Sequence, residues 1–347
     1  MADMRAAARA KRALDQSRAA AVELVRGMGA EKTRALLERS AEALRARLQA
    51  VAGSLGPDTY TVVQLRAALA QVQHVLVTTT LPALRDAVVD SAEEAGRAGA
   101  QHTVDYLAAA DRAFRGAGEQ PLPLRVAGML HEGVSGARAS VLRRLASEPA
   151  PRGKHRGPRK KVRVGILARY GIETVGAFEE ELRVGLVAKK SWTEMRESIT
   201  KRSPFLQGKP SHWAHRIVRT EVMSAHGAAA HHSIQQANRD LGGGMLKILS
   251  ETFDDRTAAD SWDDHGQCRR PDEDFENWYG PFPYPAGRPN DRAIIVPHRQ
   301  RWPLPDYLQP KTDEEVEEAW RREGHKKDMP SRSLISTVPG FGHDEGL

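Results

Sequence analysis

A single cysteine, Cys268, stands in a chain of 347 residues. That excludes an intrachain disulfide and a thiolate metal cage, and it points to a reducing compartment. Aromatic side chains are almost missing from the first half, where only Tyr60, Tyr106 and Phe114 precede residue 164. A helical core of Leu, Val and Ala fits such a composition better than a sheet does. No apolar run approaches the roughly 20 residues that span a bilayer. The first 21 residues carry charges throughout and lack the apolar stretch of a secretory signal. The expectation is a soluble protein made in a cytosol, with no membrane partner.

Charge is present in quantity and unevenly placed. The chain carries a net charge of +7, but residues 1–163 hold 27 Lys/Arg against 16 Asp/Glu, whereas residues 250–280 hold 3 against 10. A basic arm and an acidic module share one chain, and the arm suits nucleic acid or an acidic protein partner equally well.

Apolar residues recur at spacings of three and four from Leu14 to Val51, the mark of an amphipathic helix that Gly27 and Gly29 bend or divide. Gly53 to Pro57 stops it, and the next helix runs to about Gly99, with Pro82 kinking or splitting it. Helix resumes over residues 101–115 and again over 124–145. Residues 1–147 thus read as a helical arm or bundle, and 148–163 as a linker, because Pro149, Pro151, Gly153, Gly157 and Pro158 are interleaved with cations. Arg152, Lys154, Arg156, Arg159, Lys160, Lys161 and Arg163 form either a phosphate-binding strip or a solvated tether; no aromatic lies among them for base stacking. Short helices fill 164–204. A long helix over 212–241, capped by Ser211, ends at Gly242, Gly243 and Gly244. Strands are expected at Leu246–Ser250 and Ala293–Val296, and the chain from residue 300 onward reads as an extended tail with one short helix at Asp313–Arg322. The fold class is mainly α, a long-helix N-terminal region followed by a small α+β module.

Three constellations carry chemistry or imitate it. His212, His215, His226, His231 and His232 share the long helix without a His-Glu-x-x-His pattern, so a polar helix surface is preferred to a metal site. Asp254, Asp255, Asp260, Asp263 and Asp264 hold oxygen ligands suited to Mg²⁺ but lack the spacing of a calcium loop. They read as a tight polar turn paired with Arg256, with a Mg²⁺-dependent DNA-processing enzyme as the alternative. Cys268 sits beside Arg269 and Arg270, which would lower a thiol pKa, but no companion His and Asn mark it as a nucleophile.

The order of motifs from residue 205 to 298 goes further. Arg219, Thr220 and Glu221 lie on the helix; a glycine break and a strand follow, then Asp254, Asp255, Arg256 and Thr257. Gly266 and Gln267 come about ten residues on, and Pro289, Asn290, Asp291 and Arg292 close the set. In this order the chain resembles the phage Mu F-like head morphogenesis family, minor capsid proteins of tailed bacteriophages. Many members carry cysteines at two places where this chain has Ala258, Ser261, Asp291 and Ala293, so no metal and no cofactor is carried over. An ion-paired clamp of Asp255, Arg256, Asp291 and Arg292 near Arg219 takes its place. The resemblance implies a non-enzymatic protein of the capsid interior, made in the bacterial host cytoplasm and present in several copies. Its partners would be the portal protein, the major capsid or scaffold protein, and packaged DNA bound without sequence preference. A plain DNA-binding protein acting through the basic strip is the remaining alternative.

Overall fold

A computed structural model describes residues 2–24, 30–54, 73–115, 119–146, 210–253, 259–277, 280–285 and 292–322, with Thr257 and scattered positions at 67–71 and 176–201. The fold is mainly α. Helices α1 (Ala2–Leu24), α2 (Ala30–Ser54), α3 (Leu81–Phe114), α4 (Val126–Ala146) and α5 (Pro210–Asp240) precede every strand. The strands are β1 (Met245–Ser250), β2 (Cys268–Arg269), β3 (Phe275–Asn277), β4 (Gly280–Phe282) and β5 (Ile294–Arg299), with α6 (Ala259–Asp264) between β1 and β2 and α7 (Asp313–Arg322) after β5. Among the described residues no helix is long and apolar enough to cross a membrane.

Two compact units emerge, neither of them a single run of sequence. One comprises residues 25–91 and 141–219, the other residues 1–24, 92–140 and 220–347. In the first, α2 buries Thr33, Leu37 and Ala41, spaced by four, and touches a π-helical turn at Leu76–Thr80. That turn runs straight into α3 and answers the expected kink at Pro82. Proline lacks the N–H that would reach Thr78, and its ring crowds that carbonyl. Widening the preceding turn relieves the clash, and the helix continues.

The second unit holds the sheet and the helices that pack near it. Here α3 joins the helical stretches expected on either side of Gly99 into one helix. It passes through, because Gly99 is a contact point: a methyl group added there would lie 2.5 Å from the backbone oxygen of His226 on α5. On α4, a methyl group added at Gly133 would meet the Ser233 side chain and, at 3.1 Å, the Ala229 backbone oxygen, one at Gly136 would meet the His232 ring, and the Ser233 hydroxyl donates to the Met129 oxygen at 2.8 Å. Small residues let three helices approach with backbones nearly touching. Gly99→Ala is therefore expected to cost about 1–3 kcal/mol through overpacking against a backbone atom, which outweighs the gain of about 1 kcal/mol in helix propensity. Urea unfolding of the full chain checks this.

β1 is the middle strand of the order β2-β1-β5, antiparallel to both, with Ile248 opposite Cys268 on one side and Val296 on the other. β3 and β4 form a separate hairpin in which Phe275 faces Phe282. The two expected strands are present, β5 extending three residues beyond Val296. β2, β3 and β4 are too short to leave a period in the sequence.

Residues 300–322 are not an extended tail. Trp302, Leu308 and Val316 are buried, Trp302 sits 5.9 Å from the Phe114 ring, and α7 packs on α6. Thr312 and Glu315 form a capping box at the start of α7: the Thr312 hydroxyl accepts from the Glu315 N–H at 3.3 Å, and the Glu315 carboxylate accepts from the Thr312 N–H at 2.9 Å. Those reciprocal bonds hold the Glu315 carboxyl below its ordinary pKa, with Lys311 adding to them.

Candidate functional site

The junction of α5 with the sheet collects most of the polar residues singled out in the sequence. α5 ends as the glycine triplet requires: Gly242, Gly243 and Gly244 have φ of 69°, 113° and 78°, in the left-handed region, and Gly243 N–H donates to Asn238 O at 2.8 Å. The Asn238 side chain then accepts the Met245 N–H at 3.0 Å, so the chain enters β1 directly. From Thr220 to His231, about three turns, every residue of α5 is buried. The expected polar helix surface is thus not found: His226 and His231 are core residues, and His232 is half-buried. The side chains of His212 and His215 lie outside the described residues.

All six residues of β1 are buried, including Lys247. Sequence reasoning passed over this lysine, although one cation inside Met245–Leu249 was a signal. Its ammonium has three donors and three acceptors to meet them. The Pro283 oxygen lies at 2.8 Å, His231 Nδ1 at 3.5 Å, and the Phe275 ring centroid at 4.7 Å. Lys247 therefore pins the β3–β4 hairpin and the strap after it onto the sheet. The strap is held from its other end by a hydrogen bond between the Tyr284 and Ser140 hydroxyls. Burial lowers the Lys247 pKa to about 8, against the pull of Asp274, Asp272 and Glu273 and with some help from Arg269.

The sign of its pH dependence follows. The folded chain loses this proton near pH 8 while the unfolded chain holds it to about 10.5, so stability rises with pH across that window. Wild type is expected to gain about 2 kcal/mol at pH 9.5 relative to pH 7 from this group. Lys247→Met removes the gain, and urea unfolding of both chains at the two pH values reads the difference.

Gln267 secures the hairpin a second time. Its amide nitrogen donates to Glu276 O at 2.6 Å and to Asp264 Oδ1 at 3.3 Å, while its oxygen accepts the Glu276 N–H at 3.1 Å. Gly266 N–H donates to Leu249 O, and Leu249 N–H to Gln267 O, tying the motif to β1. His265 Nδ1 accepts the Glu251 N–H at 3.1 Å, a role the sequence did not suggest. The Thr257 hydroxyl donates to Thr252 O at 2.7 Å, and the Thr252 hydroxyl donates to Arg292 O at 3.3 Å. Thr220 and Glu221 are buried, and Arg219 is half-buried.

The aspartates behave differently from expectation. Asp260, Asp263 and Asp264 lie on the short helix α6, not in a tight turn, and all three are buried. Among the described residues no three His, Cys, Asp or Glu side chains converge as metal ligands. Asp254, Asp255, Arg256, Pro289, Asn290 and Asp291 lie outside the described residues, so the expected ion-paired clamp does too. The same is true of the whole strip Arg152, Lys154, Arg156, Arg159, Lys160, Lys161 and Arg163. Cys268 is buried on β2, and burial pushes its thiol up to about 12, outweighing the opposing pull of Arg269. The neighbouring arginines do not activate it.

The arrangement is a lattice of buried polar groups bonded to backbone at the joints between α5, α6, β1 and the β3–β4 hairpin. Comparison with family models, with curated proteins and with solved structures gives no match to this chain.

Proposed function

We propose that this chain is a minor capsid protein of a tailed bacteriophage or prophage head, of the Mu F-like morphogenesis type, that docks on the portal inside the procapsid. One observation carries the reading. The described members of the ordered motif, Thr220, Glu221, Thr257, Gly266, Gln267 and Arg292, gather in one helix–sheet module, where Thr257, Gly266, Gln267 and the Arg292 oxygen hold hydrogen bonds that join its elements. A set of residues spent on holding a module together supports a structural role and an ordered motif in the sequence at the same time. The basic strip supplies contacts to packaged DNA, and its affinity falls with salt as neutralised phosphates release counterions.

The test is co-expression of the full chain with the portal protein encoded in the same genome, followed by native mass spectrometry. Deleting residues 1–147 is not a usable control, because residues 1–24 and 92–140 belong to the same unit as the sheet. A complex of defined stoichiometry is expected. Two proteins that stay separate at micromolar concentration in low and moderate salt would sink portal docking.

A further inference from the structure

His102 on α3 and His226 on α5 face each other outside the lattice described above. His102 Nδ1 lies 3.2 Å from His226 Nε2, with ring centroids 5.5 Å apart. His102 is half-buried and His226 is buried, and the pair lines a small cavity with Leu14, Gly99, Tyr106 and Ile294. The other nitrogen of His226, Nδ1, is buried with no hydrogen-bond partner. A metal ligand ordinarily donates its second ring N–H to an acceptor, so this pair is unsuited to a metal and suited to a shared proton.

The orphan nitrogen fixes the direction of that bond. A buried N–H without an acceptor is rarer than a buried acceptor without a donor, so Nδ1 of His226 is the bare nitrogen and Nε2–H donates to His102 Nδ1. When His102 takes up a second proton, both of its nitrogens become donors. His226 must then accept at Nε2 and carry its own proton on Nδ1, where nothing receives it. We propose that His102 and His226 form an acid-sensitive latch between α3 and α5, in which a proton entering at the half-buried His102 forces a donor without an acceptor into the core at His226.

The titratable groups near the pair are few. On α3, Asp105 favours the charged form of His102, and Tyr106 is engaged with the Tyr307 hydroxyl at 3.2 Å. From α1 and β5 the cavity is lined by Leu14 and by Ile294 to Pro297, none of them charged. Burial dominates at His102 and lowers its pKa below the ordinary value in spite of Asp105. The latch is closed at pH 7 and opens only below the range around 6.5 in which free imidazole gains its proton.

Two measurements on the full chain test the latch. With ¹⁵N-labelled histidine, an NMR titration from pH 7 downward is expected to show His226 protonated at Nε2 and bare at Nδ1 at the start, and the opposite tautomer once His102 has become doubly protonated. Native-state hydrogen exchange is expected to lose at least tenfold more protection at residues 99–106 and 223–230 than at β1 and β5 over the same range. His102→Gln keeps an acceptor for the His226 Nε2–H but cannot titrate, and it abolishes the extra loss. An unchanged His226 tautomer after His102 has become doubly protonated overturns the proposal, as does an undiminished loss of protection in His102→Gln. The NMR result decides the matter even if the variant does not fold.

Discussion

Lowering the pH from 7 to 5 is expected to cost this protein about 6 kcal/mol of folding stability, roughly 2 kcal/mol from each of three buried histidines. Burial lowers His226 and His231 to about 3 and His298 to about 4. The neighbours act differently: His102 pushes His226 down, Lys247 and then His232 push His231 down, and the Trp302 backbone opposes the shift at His298. In every case the folded chain holds the neutral ring while the unfolded chain takes a proton near 6.5. Unfolding therefore binds protons below 6.5, and the stability present above that pH is lost as pH falls toward 3 to 4. Set against a typical total of about 5–15 kcal/mol, the loss removes a large share of the stability by pH 5. Urea unfolding midpoints at pH 7, 6 and 5 read it out. His298→Gln should flatten the dependence by about one proton, and a midpoint that does not move between pH 7 and 5 would show that these rings are hydrated in the folded chain.

The same histidines mark the limit of what was legible in the sequence. Long helices, their glycine stop and two strands came through, because periods of 3.6 and 2 and left-handed glycines are local signals. Burial on all sides is not local. α5 reads as polar from its histidines, yet it is enclosed over Thr220–His231, and nothing in the sequence marks Gly99, Gly133 and Gly136 as contact points between helices. Lys247 looked like the polar face of an alternating strand; a hairpin of two three-residue strands, too short to leave a pattern, covers it. Trp302 and Leu308 looked like tail because a short stretch rich in proline and polar residues gives no period, although both are buried. Among the motif residues, Gly266 and Gln267 could be found by their order in the chain, whereas what they bond to, Leu249 and Glu276, could be found only by folding it.

Those bonds make Gly266 a sensitive backbone position in the module, and Gly266→Ala is expected to destabilise the protein by about 2–5 kcal/mol. Two costs add. Gly266 has φ of 79°, where a side chain costs about 1–2 kcal/mol. A Cβ would also lie 2.5 Å from Pro310 N, 2.7 Å from Pro310 Cα and 2.8 Å from Gln309 C. These are backbone atoms of the segment that leads into α7, with no flexible end to move aside, and overpacking of that kind adds about 1–3 kcal/mol. Gly242 separates the two terms, since it has φ of 69° with nothing within 4 Å of its would-be Cβ. Gly242→Ala should cost the strain alone, about 1–2 kcal/mol. Relief of the clash requires the Pro310 segment to lift away from Gly266, which would weaken the seat of α7 on α6 and leave the capping box at Thr312 intact. Urea unfolding of both variants, together with hydrogen exchange at residues 313–322, distinguishes the effects. Equal losses in the two variants would mean that the Pro310 segment does not rest on Gly266.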